Sequence, residues 1–274
     1  GLWKENGIID FYLTRNGRCS SNLEPNREVL DEFPESDRFD IIKKTKIPVN
    51  TLDNILNSSN KVEGGGTPDF VKLDTQGTEL YILQGMTETL NRSIFGIEIE
   101  VEFISMYSKQ PLFHEVDEFM HSQGFQLFDI KKYYWRRKCG LGLDGTMRGQ
   151  ITHGDALYFR NPDVYINLLK NSNVKSRKRL LIAVAIALFY GYSDYAINLL
   201  ECGKNSNLIC EEDYTLLLKN ISRSAKKILM PDFKGKGLIR RFIRKFLIDH
   251  HKGWAIIDKP DVGNNFSHYK YYGN

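Results

Sequence analysis

Two periods of apolar and polar positions organise the first 160 residues. Ile97, Ile99, Val101 and Phe103 alternate with Glu98, Glu100 and Glu102, the period of two that predicts a strand within Ile94 to Phe103. Phe70 to Leu73 is a short apolar run that stops on Asp74. The polar turn Thr75-Gln76-Gly77 follows, and a helix is expected from Thr78 or Glu79, interrupted or ended near Gly85. Leu112, Val116, Phe119 and Met120 share one side of a predicted helix that Pro111 opens and Gly124 ends. Phe125 to Ile130 and Asp155 to Phe159 read as strands, with a long loop of basic, aromatic and glycine residues between them. Upstream, Asn6-Gly7 is a hairpin signal whose second arm would be Ile8 to Leu13. Glu28 to Phe33 is expected to make a helical turn. Leu52, Ile55 and Leu56 predict a short helix capped by Asn50 or Thr51, with Asp53 in its first turn. Gly64-Gly65-Gly66 reads as a linker. The order strand, helix, strand, helix, strand, strand predicts an α/β fold, with a parallel core and an antiparallel member near the end.

From Asn161 onward the pattern turns helical, with packed helices expected over Leu180 to Tyr190, Tyr195 to Glu201 and Tyr214 to Ile221. Charge changes at the same place. Residues 1–160 carry 19 Lys and Arg against 24 Asp and Glu, whereas residues 161–274 carry 19 against 10. Two modules are expected, an α/β unit over 1–160 and a basic helical extension over 161–274. The four cysteines, Cys19, Cys139, Cys202 and Cys210, form no CxxC pair. That argues against a disulfide framework or a zinc knuckle and suits a reducing, cytoplasmic setting. The longest apolar run, Leu180 to Tyr190, is about half a membrane span.

Candidate chemistry gathers at Asp74. In open α/β sheets ligands sit beyond the carboxyl ends of strands, and a helix N-terminus follows directly. The competing role is a helix cap. Glu98, Glu100 and Glu102 share one face, where like charges raise one another's pKa. Glu98 suits an exposed face on an edge strand, while Glu100 and Glu102 could face the cleft of Asp74, with Arg136 and Arg137 as natural partners. Tyr133-Tyr-Trp135-Arg136-Arg137 suits stacking on a sugar or holding an anion, or is a solvated loop anchored by one tryptophan. Gly140-Leu-Gly-Leu-Asp-Gly145 matches GxGxxG in letters but lacks the strand and helix around it. His153 precedes Asp155, yet no HExxH or HxH set appears, so no zinc site is expected; Asp74 and the glutamates could hold a hard cation, though no ligand spacing demands one. Leu238 to Ile248 is amphipathic, with Leu238, Ile239, Phe242, Ile243, Phe246 and Leu247 on one side and Arg240, Arg241, Arg244 and Lys245 on the other. It suits peripheral contact with an anionic membrane or docking on the protein itself. Nucleic-acid binding would rest on charge alone and is not expected.

Several segments in order resemble the FkbM-type methyltransferases. Asp69-Phe-Val-Lys-Leu-Asp74-Thr-Gln-Gly-Thr-Glu-Leu80 and Ile82-Leu-Gln-Gly-Met86 resemble that family's mid-domain signature. Gly96 to Phe103 resembles its next strand. Pro111 to Asp117, Gly124 to Asp129 and Gly154 to Tyr158 continue the order, and Ser20 to Pro25 and Val49 to Asp53 fit the earlier segments. The resemblance covers roughly the first 160 residues. It implies a Rossmann-like class I methyltransferase sheet that uses S-adenosylmethionine, acting on a hydroxyl of a sugar, glycolipid or natural product. Carried over, Asp74, Gln76 and Gly77 would meet the cofactor. Asp74, Glu100 and Glu102 would be the catalytic carboxylates, with Asp74 the first choice of base. Glu79, Trp135, Arg136, Arg137 and Asp155 would face the acceptor. The family's glycine-rich cofactor loop and acidic ribose-binding residue belong upstream of Trp3, and nothing in Gly1 to Leu56 resembles them. The expectation is therefore a sheet whose first strands are missing, a piece that on its own lacks the cofactor glycine loop needed for activity. The reading from another class is a non-catalytic adaptor that docks through its basic helical tail.

Overall fold

The structure, a computed structural model, describes residues 1–58, 67–140, 149–171, 176–226, 254–258 and 262. The expected Gly64–Gly66 linker, residues 141–145 of the GxGxxG match and the amphipathic 238–248 segment lie outside them.

Two sheets form. In the smaller, β1 (Gly7–Thr14) pairs antiparallel with β2 (Ile41–Val49), Gly7 opposite Val49 and Leu13 opposite Lys43. The hairpin expected at Asn6-Gly7 does not form. The Asn6 side chain accepts instead from the Thr51 N–H at 3.2 Å and from Asn54 Nδ2 at 3.0 Å. It thereby ties the start of β1 to α2 (Leu52–Ser58). Between β1 and β2 lies the short α1 (Arg27–Leu30). Thr51 caps α2 as expected, its Oγ1 accepting from the Asn54 N–H at 3.1 Å.

The larger sheet contains β3 (Phe70–Leu73), β4 (Gly96–Glu102), β5 (Phe125–Trp135), β6 (Gln150–Arg160) and β7 (Ala255–Ile257), in the spatial order β3-β4-β6-β5-β7. β3 and β4 are parallel, and β6 is antiparallel to both β4 and β5. This is the mixed α/β arrangement expected, with the antiparallel member late in the chain. Two details differ. β5 runs through Trp135 and β6 begins at Gln150, so both ends of the expected loop over 131–154 are strand. Tyr133, Tyr134 and Trp135 are good strand formers, and they pair with His153, Ile151 and Gln150. β4 is also not an edge strand, since β3 and β6 flank it.

One face of this sheet is largely apolar. Leu73, Ile97, Ile99, Val101, Ala156 and Tyr158 pack with Leu80, Leu83, Val116 and Met120. Those partners belong to α3 (Glu79–Gln84) and α5 (Phe113–Ser122), with α4 (Thr87–Arg92) between them in the chain. Asp53 caps α4, accepting from the backbone N–H groups of Glu88 at 2.9 Å and Thr89 at 2.8 Å. Gly124, at φ +79, ends α5 in the left-handed conformation that glycine adopts without penalty.

The opposite face is divided. Its lower half, Leu157 and Phe159 with nearby Phe95, is covered by α6 (Pro162–Asn171), α7 (Ser176–Phe189) and α8 (Ser193–Asn205) through Tyr165, Leu169, Leu180, Ala183, Leu199 and Leu200. A further helix, α9 (Glu211–Lys226), follows. Its upper half carries Glu100, Glu102, His153 and Asp155. Arg160, 1% exposed, joins the layers: its guanidinium donates to the carbonyls of Ile94 at 3.1 Å, Gln123 at 2.7 Å and Leu90 at 2.7 Å. Among the described residues no helix is long and apolar enough to cross a membrane.

Candidate functional site

The site forms where β3 and β4 end side by side. β3 stops at Leu73, and Asp74 emerges exposed. The chain then turns through Gln76 at φ 58 and Gly77 at φ 90 before α3 begins. A Cβ at Gly77 would stand 2.6 Å from Gln110 Nε2, so both backbone angle and space call for glycine there. Gln76 occupies a left-handed conformation that a non-glycine residue adopts only when held. Four bonds hold it. Its Nε2 donates to Glu100 Oε2 at 2.8 Å and, more weakly, to Asp74 Oδ1 at 3.4 Å. Its Oε1 accepts from the Tyr107 hydroxyl at 3.2 Å, and its carbonyl accepts from Ser21 Oγ at 2.8 Å. Asp74 is therefore tied to Glu100 through Gln76. The N-cap of α3 is Thr78, and the capping reading of Asp74 receives no support.

Behind this turn three carboxylates converge. Glu79, Glu100 and Glu102 each place one oxygen within 4.8 Å of the others. Glu79 comes from the first turn of α3 and accepts from the Thr75 N–H at 2.6 Å and Thr75 Oγ1 at 2.9 Å. Burial raises its pKa above the ordinary carboxylate value, against the hydrogen bonds from Thr75. Glu100 is pushed well above that value by burial, then by the charges of Glu79, Asp74 and Asp155. Glu102 is likewise raised well above it by burial and by Glu79 and Glu100, while the neighbouring Gln110 amide acts in the opposite direction. Among the described residues, none of the three forms an ion pair with a lysine or arginine.

Glu98, one pleat below, is different. It pairs with Lys72 at 2.6 Å and accepts from the Tyr190 hydroxyl at 2.8 Å. The exposed edge position expected for it is thus corrected, because an internal strand covered by α7 requires its acid to be paired.

Across the ladder, Glu100 faces Asp155 and Glu102 faces His153. Asp155 accepts from the Tyr133 hydroxyl at 3.0 Å, lies 3.7 Å from Lys131 Nζ, and has its pKa raised by burial. His153 stacks on Tyr133 with ring centres 4.5 Å apart. Burial and the charge of Arg38 lower its pKa to about 4, so the ring is neutral at physiological pH.

Asp74, Gln76, Gly77, Glu79, Glu100, Glu102 and Asp155 are thus brought together. Trp135, Arg136 and Arg137 are not part of this cluster. Trp135 is buried against Phe33 and Trp254, with the Arg38 guanidinium 4.6 Å from its ring. The Arg136 N–H donates to the Trp254 carbonyl. Arg137 pairs with Glu32 at 2.6 Å and donates to Gln150, so its expected pairing with Glu100 or Glu102 is replaced. Conversely, Tyr107 and Gln110 belong to the site although sequence reasoning passed over them. Gln110 accepts from the Tyr107 N–H at 3.0 Å and is 6% exposed. The only signal at Gln110 is a polar residue directly before a helix-opening proline.

Fold and site together define a mixed α/β protein with its acids at the carboxyl ends of adjacent parallel strands. Residues 2–127 match the methyltransferase FkbM domain family. The match takes in the whole Asp74–Glu102 cluster and ends before Trp135, Arg136, Arg137 and Asp155. No curated protein and no solved structure matches the chain.

Proposed function

We propose that the protein transfers a methyl group from S-adenosylmethionine to a hydroxyl oxygen of a small molecule or glycan. A sugar, glycolipid or natural product is the acceptor class. The observation that carries this reading is the exposed Asp74 carboxylate at the end of β3, tied through Gln76 to the buried Glu100. The donor set fits a cationic cofactor, because carboxylates line the site, and the turn beside them is held by Gly77 packed directly against Gln110.

When bound, the cofactor would supply a methyl group activated on a sulfonium, whose S–CH3 bond breaks as the acceptor oxygen takes the methyl and which leaves as a neutral thioether. Asp74, Gln76 and Gly77 are the residues that would hold the cofactor. The chain's own task is then to align the acceptor oxygen, exclude water and take a proton. As the acceptor oxygen gains its methyl bond, its O–H proton leaves for a carboxylate. Asp74 is the accessible base, and Glu100 stands directly behind it. Gln76 fixes both carboxylates by donating to each. Asp155 and Tyr133, opposite Glu100, offer polar contacts for the rest of the acceptor.

The test is transfer of labelled methyl from S-adenosylmethionine to a panel of hydroxylated sugars, glycolipids and natural products. Asp74→Asn should lower turnover by about 10²- to 10⁴-fold. Turnover close to wild type would remove Asp74 as the base. Cofactor binding without transfer to any hydroxyl would favour the non-catalytic adaptor instead.

A further inference from the structure

Two cations on the face that carries the acids are paired, Lys72 with Glu98 and Lys131 with Asp155. Arg38 is held differently. It sits in the turn Ser36–Phe39 between α1 and β2. Its guanidinium carbon lies 5.0 Å from the ring centre of Phe39, 4.6 Å from Trp135 and 4.7 Å from Trp254. Ring faces attract a cation but offer no lone pair to its N–H groups. Arg38 Nε is buried without a partner, and among the described residues the terminal nitrogens form neither a hydrogen bond nor an ion pair. The acids in its neighbourhood are occupied: Glu35 accepts from the Trp254 indole N–H at 3.2 Å, and Asp37 pairs with Arg15 at 3.1 Å. Arg38 is only half-buried, so its N–H edge can be reached from outside.

Two rows of contacts place this guanidinium on the rim of the candidate site. Trp135, packed on Arg38, meets His153 edge-on at 5.5 Å, and His153 faces Glu102 across the β4–β6 ladder. Phe39, on another side, meets Tyr107 edge-on at 6.0 Å, and the Tyr107 hydroxyl donates to Gln76. Burial and then Arg38 lower the His153 pKa while Asp74 raises it, so that ring feels both charges. His153 lies nearly parallel to Tyr133, the two planes 7° apart, and both rings are partly exposed.

We propose that Arg38 binds an oxyanion on the acceptor, a carboxylate or a phosphate, so that the preferred acceptor is an anionic hydroxylated molecule such as an acidic sugar or a sugar phosphate. The planar fork of arginine suits either group, because it donates two parallel N–H bonds to both. The surrounding rings hold the fork in place beforehand, which reduces the cost of ordering a long side chain on binding. Trp135 is then a positioning residue, acting through Arg38. With the oxyanion at Arg38, the acceptor spans the His153–Tyr133 pair and presents a hydroxyl to Asp74. The role as acceptor rests on the methyl-transfer reading, whereas anion binding does not require it.

The experiment uses the whole chain at constant ionic strength and follows tryptophan fluorescence, since Trp135 and Trp254 both lie against the guanidinium. At least one of glucuronate and glucose 6-phosphate should give a saturable change, and the tighter of the two names the oxyanion. Arg38→Met should weaken that binding by about 10- to 100-fold, the range for charge-assisted hydrogen bonds, and leave the weaker binding of glucose unaffected. Arg38→Lys, which keeps the charge but not the fork, should fall between. Arg177→Met, at an exposed arginine of α7 paired with Asp213, should change nothing. Urea unfolding verifies that each variant is folded. The proposal is overturned if neither anionic sugar binds more tightly than glucose, if a folded Arg38 variant retains full binding, or if all three sugars are weakened equally. In the methyl-transfer assay the same preference should appear in kcat/KM. Anion binding without any transfer would remove the methyltransferase reading and leave the anion site, whereas transfer that favours neutral acceptors would remove the anion site alone.

Discussion

Replacing Glu102 by glutamine removes one charge from the cluster while keeping its shape, and its effect on stability can be worked from the structure. Two carboxylates 4.8 Å apart repel by about 3.5 kcal/mol at an effective dielectric constant of about 20. The wild-type chain can escape this only by keeping a proton. Holding a carboxyl with an unfolded pKa of about 4.3 protonated at pH 7 costs about 3.7 kcal/mol, which caps the gain from removing it. Imperfect packing of the amide lowers this, so Glu102→Gln should stabilise the chain by about 1–3 kcal/mol at pH 7. The sign of the pH dependence follows from the raised pKa values of Glu102 and Glu100. A carboxyl raised in the folded state contributes stability below its unfolded pKa and loses it as pH rises through the folded pKa. The advantage of glutamine should therefore vanish near pH 4 and grow by about 1.4 kcal/mol per pH unit until the folded pKa is passed. Urea unfolding of both proteins at pH 5 and pH 8 measures this difference. A variant that is equally or less stable at both pH values would refute the claim that these acids are mutually strained.

Two other substitutions test parts of the framework. Arg160→Met should cost about 3–5 kcal/mol, because two buried carbonyls and one part-buried carbonyl lose charge-assisted donors, and the urea midpoint should fall with little change in slope. Gly77→Ala should cost about 2–4 kcal/mol, from its φ of +90 and the displacement of Gln110, and should lower methyl transfer by disturbing Gln76.

What could be read from the sequence depended on whether a signal was local. The period-two run at Glu98–Glu102 specified both the strand and the shared face of its acids. The break at Asp74 placed a carboxylate at a strand end. Pairing information was not local. Asn6-Gly7 has the residues of a hairpin turn, yet long-range bonds from Asn6 to Thr51 and Asn54 override it. Basic residues and nearby glycines around Tyr133–Arg137 masked the continuation of β5, which depends on the facing residues of β6. Glu98 looked solvated because nothing in its own segment indicates Lys72 or Tyr190. Gln110 and Tyr107 carry no periodic signal, since each acts as a single contact across a loop.

The shared face of the larger sheet has a consequence for how the two parts of this chain can be separated. Charge and secondary structure change near residue 160, but the apolar contacts do not stop there. Phe95, Leu157 and Phe159 are fully buried because Tyr165, Leu180 and Leu199 cover them. Tyr190 reaches back from the end of α7 to Glu98, one pleat below Glu100. A chain cut after Arg160 would expose a broad aromatic surface and loosen the floor beneath the acids. In hydrogen exchange, amides of β4 and β6 should therefore open together with those of α7 and α8, as one cooperative unit. The helical extension thus acts as a foundation for the site, and changes made far along it will be felt at the carboxylates.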